Sequence, residues 1–405
     1  MKLHALYQGK LLGTLADDRS GKIYFEYDSD FLAHGINLSP LLLPFKNGVQ
    51  HCDHPDFKGL FGLFYDSLPD QWGMGLLEER LRRKGVRQWN ALTCLGYLGS
   101  RGMGAITYQP SEELSESYHP INLTEVNREA LQIVRGNLHE GIHDDLLKAG
   151  TSPGGARPKI IIGIHDQKPE FVSGNGPLPE GFSSWILKLQ DGDKTSNGAL
   201  EFLYHQIAHE AGIRTSPARL IPLPRQKKNV LFATQRFDRK LQNRVHYHSL
   251  CGIGHFPVSG STDYDDFLSV TRELTQNHQE VEEAFSRATF NLIGCVRDDH
   301  VKNHGFLLEG NKWNLSPAFD LLPAKWNGIH SLGYLGEHRS PDLRSLEKLA
   351  LYHSIRKDRS REIIQKTIAA FSKFKKIAKK FSLPDETIEN FKQNLQEHFQ
   401  KIGLK

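Results

Sequence analysis

This sequence is short of several features that would define common protein classes. Only four cysteines occur in 405 residues, Cys52, Cys94, Cys251 and Cys295, scattered and without a C-x-x-C pair. Neither a zinc ribbon nor a disulfide framework is expected, and packed thiols in a reducing compartment fit best. No apolar run approaches the ~20 residues of a membrane span. Met1-Lys2-Leu3-His4-Ala5 has no apolar signal core and no small-residue cleavage site, so a cytoplasmic chain without membrane contact is expected. Charge of one sign is lacking too. A net +4 permits acidic partners but does not mark a nucleic-acid-binding protein. There is no G-x-x-x-x-G-K-[ST], no G-x-G-x-x-G, no internal repeat and no low-complexity segment. His51-Cys52-Asp53-His54 looks like a ligand cluster, but adjacent residues rarely all face one metal, and none is expected there.

What is present is a globular composition, 38% hydrophobic and 24% charged, in a chain long enough for two or three domains. Residues 3–7, 11–15 and 23–27 alternate in strand fashion, with turns at Gln8-Gly9 and 17–21, and predict an antiparallel meander. Ser67-Leu68-Pro69-Asp70 opens a helix to about 81, with Gly85 beyond it, and 89–97 reads as a second helix. Residues 98–105 form a tight glycine-rich turn before a short strand at 106–108. A polar linker at 110–120, a helix capped by Thr124 and a helical turn at 144–149 follow, placing a domain boundary within about 110–145. Strands are expected at 160–164, 184–189, 219–223 and 230–236, with a helix at 199–211 closed by Gly212. Helices are expected at 263–274, 281–296, 341–351, 360–380 and 383–402. Lys373, Lys375, Lys376, Lys379 and Lys380 make a basic run there, either a solvated helix face or an anionic contact surface.

The densest chemistry lies between Asn291 and Pro323. Asp298, Asp299, His300, Lys302, Asn303 and Asp320 fall in this short span. An apolar helical run leads in, and a hairpin about Glu309-Gly310-Asn311 is expected to return Asp320 towards Asp298. Two carboxylates and an amide oxygen would then converge, a donor set that suits Mg²⁺ sharing its shell with water and phosphate. Asn303 follows Asp298 by five positions, as in the protein-kinase loop D-x-x-x-x-N. There the Asp accepts the substrate hydroxyl's proton and the Asn holds Mg²⁺, and a later Asp also holds the metal. The same residues also suit a polar loop with Asp caps.

Two further stretches could meet phosphates. The small-residue loop 150–159 feeds a β-branched strand and could bring backbone N–H groups close to an anion, or be an ordinary loop. Lys188 sits inside the apolar run Ser184-Trp185-Ile186-Leu187-Lys188-Leu189. It could reach nucleotide phosphates from a strand, with Glu201 as a possible ion-pair partner, or snorkel on an exposed face. Arg236-Phe237-Asp238-Arg239 ends a strand and reads either as a hinge or as a surface salt-bridge cluster.

Taken in order, these pieces resemble the HipA family of kinase toxins. The resemblance is carried by 66–73 (DSLPDQWG), 98–105 (LGSRGMGA), 152–159 (SPGGARPK), 185–189, 235–239, 298–303 and 316–323. It implies an α+β, two-lobed, protein-kinase-like fold with an N-terminal β-rich subdomain at 1–110, a kinase N-lobe-like region at 111–240 and a helical C-lobe at 241–405. It implies ATP and Mg²⁺ as cofactors, Asp298 as base, and Asn303 and Asp320 as metal ligands. Lys188 would hold ATP phosphates, Gln235 and Phe237 would flank adenine, and Asp238 would lie near the ribose. Lys159, His300, Asn303, Gly154, Gly155 and Ala156 match nucleotide-site positions. Ser152 matches a loop serine whose autophosphorylation shuts family members off. The resemblance also implies an aminoacyl-tRNA synthetase as target, a HipB-like helix-turn-helix antitoxin as partner, and operator DNA reached through that antitoxin. Leu321-Leu322 after Asp320, in place of the kinase Phe-Gly, and Pro153 and Pro158 around the loop depart from the kinase pattern. A nucleotide-binding co-repressor is the alternative from another class. A metal-dependent hydrolase built on Asp298-Asp299-His300 is a third, without a second histidine cluster to support it.

Overall fold

Alternation of side chains builds the first sheet. In β1 (Lys2–Tyr7) the residues Leu3, Ala5 and Tyr7 are buried, and in β3 (Ile23–Tyr27) so are Ile23, Phe25 and Tyr27. With β2 (Lys10–Asp17), β4 (Gln50–His51) and β5 (Ile106–Gln109) they form a sheet of order β4-β3-β2-β1-β5. Tyr7 faces Lys10 across the expected Gln8-Gly9 turn, where both central residues have positive φ, 50° and 78°. That turn matches the right-handed twist of the strands it joins. Gly13 is required by close approach, since a Cβ there would lie 2.6 Å from the Phe25 ring.

This computed structural model describes residues 1–111, 118–136, 146, 157–174, 176–192, 197–223, 226–240, 243–323, 328–381, 383 and 385–404. The expectations for Ser152, Gly154, Gly155 and Ala156, and for most of the 144–149 turn, lie outside the described residues. Among the described residues no helix is long and apolar enough to cross a membrane.

The second sheet has the order β7-β6-β8-β10-β9, from β6 (Lys159–His165), β7 (Phe171–Ser173), β8 (Phe182–Lys188), β9 (Ala218–Leu223) and β10 (Gln226–Gln235). One face carries Ile160, Ile162, Ile164, Trp185, Leu187 and Ala233 into a core shared with Trp72, Leu76, Val126 and Ala130. Trp72 and Leu76 come from the Gln71–Arg83 helix, and Trp72 Nε1 donates to the Lys159 carbonyl at 3.1 Å. The signature residues before that helix are used inside the fold. Asp66 meets His248 Nδ1 at 2.6 Å, and the Ser67 hydroxyl meets Tyr108 at 2.7 Å. The cap of the Leu123–Val134 helix is Asn122 rather than the expected Thr124, because the Asn122 side-chain oxygen accepts from the N–H groups of Thr124 and Glu125.

The chain divides into two compact units. The first comprises Met1–Asp193, Ile221–His248 and Leu307–Asn311, and the second Lys194–Leu220, Ser249–Phe306 and Lys312–Lys405. The first five-stranded sheet belongs to the first unit, and so does the second sheet apart from Ala218–Leu220 at the start of β9. The second unit is mostly helical. Its Tyr264–Thr275 helix is capped by Asp263 and its His278–Ile293 helix by Asn277. The continuous helix expected over 360–380 breaks at Lys373 into Lys357–Ser372 and Phe374–Lys380. After the break Phe374 stacks on Phe391, with ring centroids 4.3 Å apart, a contact that rewards the change of direction.

Candidate functional site

In the second unit, the His278–Ile293 helix delivers the chain to the acidic loop. Phe290, Leu292, Ile293 and Val296 are all buried and anchor that approach. The loop ends in a single 3₁₀ turn, Val301–Asn303, before the expected hairpin of Gly305–Glu309 and Lys312–Leu315. Asp298, Asn303 and Asp320 line one small open pocket, together with Arg287, Asn291 and His304. The Asp298 side chain is 75% exposed, and His300 Nε2 lies 3.8 Å from its Oδ1. Asn303 Nδ2 donates to the Asp298 carbonyl at 2.7 Å. That bond spends the amide's donor end on the loop itself and leaves its oxygen for a ligand.

Asp320 sits in left-handed backbone, φ +56°, immediately after the hairpin return. Aspartate tolerates this region better than most residues, and non-glycine residues held there cluster at functional sites. Among the described residues no three of His, Cys, Asp and Glu converge as a metal cage. Asn303 and Asp320 instead offer hard oxygens beside Asp298. This donor set fits Mg²⁺, which keeps several waters and is bound by few protein groups plus phosphate.

The return strand is held by residues that carried no signal in the sequence. Arg287 Nη2 donates to the Ser316 carbonyl at 2.6 Å and pairs with Glu283 at 2.9 Å. The buried Glu280 carboxylate accepts the Leu315 N–H at 2.9 Å and the Arg214 guanidinium at 2.9 and 2.5 Å. Glu280→Ala would strand the Leu315 N–H. We expect a loss of about 1–3 kcal/mol, read as a lower urea midpoint with the slope unchanged. His304, on the pocket wall, is kept neutral. Burial, helped by the nearby Arg287 charge, pulls it down to about 3.

In the first unit, Lys159 and Lys188 are direct cross-strand partners of β6 and β8, and Phe232 of β10 stands opposite Lys188. They share a sheet face with Ile161, Ile186 and Thr234, opposite the face that enters the core. Lys159 is buried and Lys188 half-buried. Gln235 ends β10 and Phe237 follows, its ring 5.5 Å from Tyr247; both are half-buried.

Asp238, expected beside a ribose or in a surface cluster, is fully buried, so the surface reading does not hold. Its carboxylate accepts from Arg236 Nε at 2.9 Å and Nη2 at 2.7 Å, from Arg239 Nη1 at 2.7 Å and from the Gly104 N–H at 2.7 Å. Burial alone would raise this carboxyl, but the Arg236 and Arg239 charges hold it well below the usual carboxylate range. Arg239 and Arg244 also donate to the Gly102 carbonyl, at 3.0 and 3.2 Å. The glycine-rich turn at 98–105 is therefore tied to the end of β10 by arginines.

Asp299 has no part in the kinase pattern of the sequence and figures there only in the hydrolase alternative. It is buried at the foot of the acidic loop and accepts hydrogen bonds from residues far away in the chain.

A family model for the HipA-like C-terminal domain matches residues 151–375, and one for the HipA N-terminal domain matches residues 3–109. A relative in Sinorhizobium fredii (strain NBRC 101917 / NGR234), named as a candidate kinase, Y4mE, is 23% identical over 345 residues, covering 79% of this chain and 76% of its own. Among solved structures, the Shewanella oneidensis MR-1 toxin–antitoxin complex of HipA, HipB and operator DNA contains a similar chain. It superposes with a TM-score of 0.74 at 19% identity, over 99% of this chain and 98% of that one. The fold is accordingly α+β and of the two-lobed, kinase-like kind.

Proposed function

The chain belongs to the HipA family, and from that premise we propose that it is an ATP- and Mg²⁺-dependent protein serine/threonine kinase, the toxin of a toxin–antitoxin pair. The observation that carries this reading is the pocket that Asp298, Asn303 and Asp320 line together, with the Asn303 amide locked to the loop. In this reading a serine or threonine hydroxyl oxygen attacks the γ-phosphorus of ATP. Its bond to phosphorus forms as the bond to the ADP oxygen breaks, and Asp298 takes the hydroxyl proton. Mg²⁺, when bound, neutralises phosphate charge and aligns the reacting groups. Asn303 and Asp320 would hold it. Lys159 and Lys188 would meet the phosphates, Gln235 and Phe237 the adenine, and His300 would stand beside the γ-phosphate. The placement of the two lysines opposite each other on β6 and β8, on the sheet face away from the core, supports this.

The partner is a HipB-like helix-turn-helix antitoxin, through which the complex reaches operator DNA. The similar Shewanella chain comes from an assembly with both. The target is an aminoacyl-tRNA synthetase. Autophosphorylation at Ser152 would switch the kinase off by adding about −1.5 to −2 charge where ATP phosphates must sit. Ser152→Asp is expected to weaken ATP binding about tenfold or more through like-charge repulsion, and wild-type affinity by calorimetry would remove that regulation. The deciding experiment is incubation with γ-labelled ATP and Mg²⁺, wild type beside Asp298→Ala, followed by peptide mapping. Label at Ser152 in the wild type alone supports an active kinase. Nucleotide binding without any transfer, to itself or to tRNA synthetases, leaves the co-repressor reading.

A further inference from the structure

The carboxylate proposed as base is mostly exposed on a loop, where packing cannot hold it. What fixes it lies on either side. The Arg297 carbonyl accepts the Ser331 N–H and hydroxyl, both at 3.1 Å. The Asp299 carboxylate, wholly buried, accepts the Ser331 N–H at 2.8 Å, the Tyr264 hydroxyl at 2.8 Å and His330 Nδ1 at 2.9 Å, with the Leu332 N–H at 3.4 Å. Tyr264 is oriented in turn by Asn291 Nδ2 at 2.8 Å, and Asn291 lines the pocket. Residues 297 and 299 are thus strapped to one segment, 330–332, and Asp298 is the single residue between them. The strap is itself anchored. His330 N–H donates to the His338 carbonyl at 2.8 Å, and the Tyr264 N–H to the Gly333 carbonyl at 2.8 Å.

We infer that Asp299, with Tyr264 and His330, is the positioning set that aims Asp298 at the hydroxyl it deprotonates. The inference rests on the kinase reading above. It assigns Asp299 no contact with ATP, metal or substrate. Its oxygens are fully engaged, and it acts through the backbone it shares with Asp298. Burial and the Asp299 charge raise the Tyr264 hydroxyl well above its ordinary range, so it stays a donor to that carboxylate. A misplaced base loses rate without losing nucleotide, and displacement by about 1 Å can cost about 100-fold.

The test uses the full chain and reads γ-phosphoryl loss from labelled ATP–Mg²⁺, to the chain or to water, with ATP affinity by calorimetry and Tm alongside. Asp299→Asn turns one acceptor oxygen into a donor. It should lower kcat about 10- to 100-fold at temperatures well below its Tm, with KM for ATP within about twofold. Tyr264→Phe should lower kcat by about threefold to tenfold, since it removes one donor and no charge. The double variant should be within about twofold of Asp299→Asn, because both act through the same contact. An active wild type and a dead Asp298→Ala, with Asp299→Asn at wild-type kcat, would overturn the role of Asp299 alone. Additive losses, or a fall in ATP affinity matching the fall in kcat, would overturn it equally. Should Asp299→Asn not fold, the kcat and KM of Tyr264→Phe decide by the same criteria. An inactive wild type, or Asp298→Ala as active as wild type, would instead overturn the kinase reading itself.

Discussion

Asp298→Ala is expected to lower phosphoryl transfer by about 100- to 10,000-fold, the range for removal of a general base, while leaving Tm almost unchanged. The second half follows from exposure. With a side chain 75% open to solvent and only a distant histidine contact at 3.8 Å, the carboxylate contributes little to stability. Asp320→Ala should be as damaging to turnover but should differ in its metal response. Raising Mg²⁺ would recover part of its activity if the carboxylate is a metal ligand and none if it is not. Steady-state rates for both variants across a Mg²⁺ titration check the pair. Retained activity in either would remove that residue from its proposed role.

Asp238→Ala should cost stability. The carboxylate is the counter-charge for Arg236 and Arg239, with Arg244 close behind, and all are largely removed from water. Taking one partner from a buried ion pair typically costs about 3–5 kcal/mol, because the remaining charge is stranded. The same group makes acid informative. Its folded-state pKa is depressed, so its contribution is fully present above the unfolded value of about 3.9 and disappears as pH falls through the lower folded value. Wild type should therefore lose stability progressively below about pH 4, and an Asp238→Asn chain should start lower and show a shallower fall. Denaturant midpoints at pH 7, 5 and 3 measure both.

Much of the site was legible in the sequence because its spacing is local. The D-x-x-x-x-N run, the Gly-Asn hairpin and the Asp that follows lie within about thirty positions, and period and turn chemistry suffice to bring them together. Lys188 could be placed on a strand for the same reason, but its neighbour Lys159 could not be paired with it. Register depends on how two strands with a third, β7, between them in the chain align. Asp299 read as part of a polar loop because its partners, Tyr264 and His330, lie 35 and 31 positions away. The burial of Asp238 was hidden for a related reason. Its arginines are adjacent in sequence and suggested a surface cluster, while the Gly104 N–H that helps bury it comes from 134 positions earlier. Where local and distant signals competed, as at the Lys373 break, the distant aromatic contact won.

The order of the strands also dictates a schedule of synthesis. The sheet β4-β3-β2-β1-β5 is complete once Gln109 has left the ribosome, and its core can condense while most of the chain is still unmade. The second sheet must wait. β8 is flanked by β6 and β10, and β10 follows the whole Asn197–Glu210 helix, which belongs to the other unit. Until Gln226–Gln235 emerges, β8 presents an open edge next to Ile186 and Leu187, the kind of edge that recruits stray strands. A nascent chain arrested between about residues 190 and 225 should thus be the aggregation-prone one. No continuous fragment reproduces either unit, and the first lacks its last segment until Asn311 has been made.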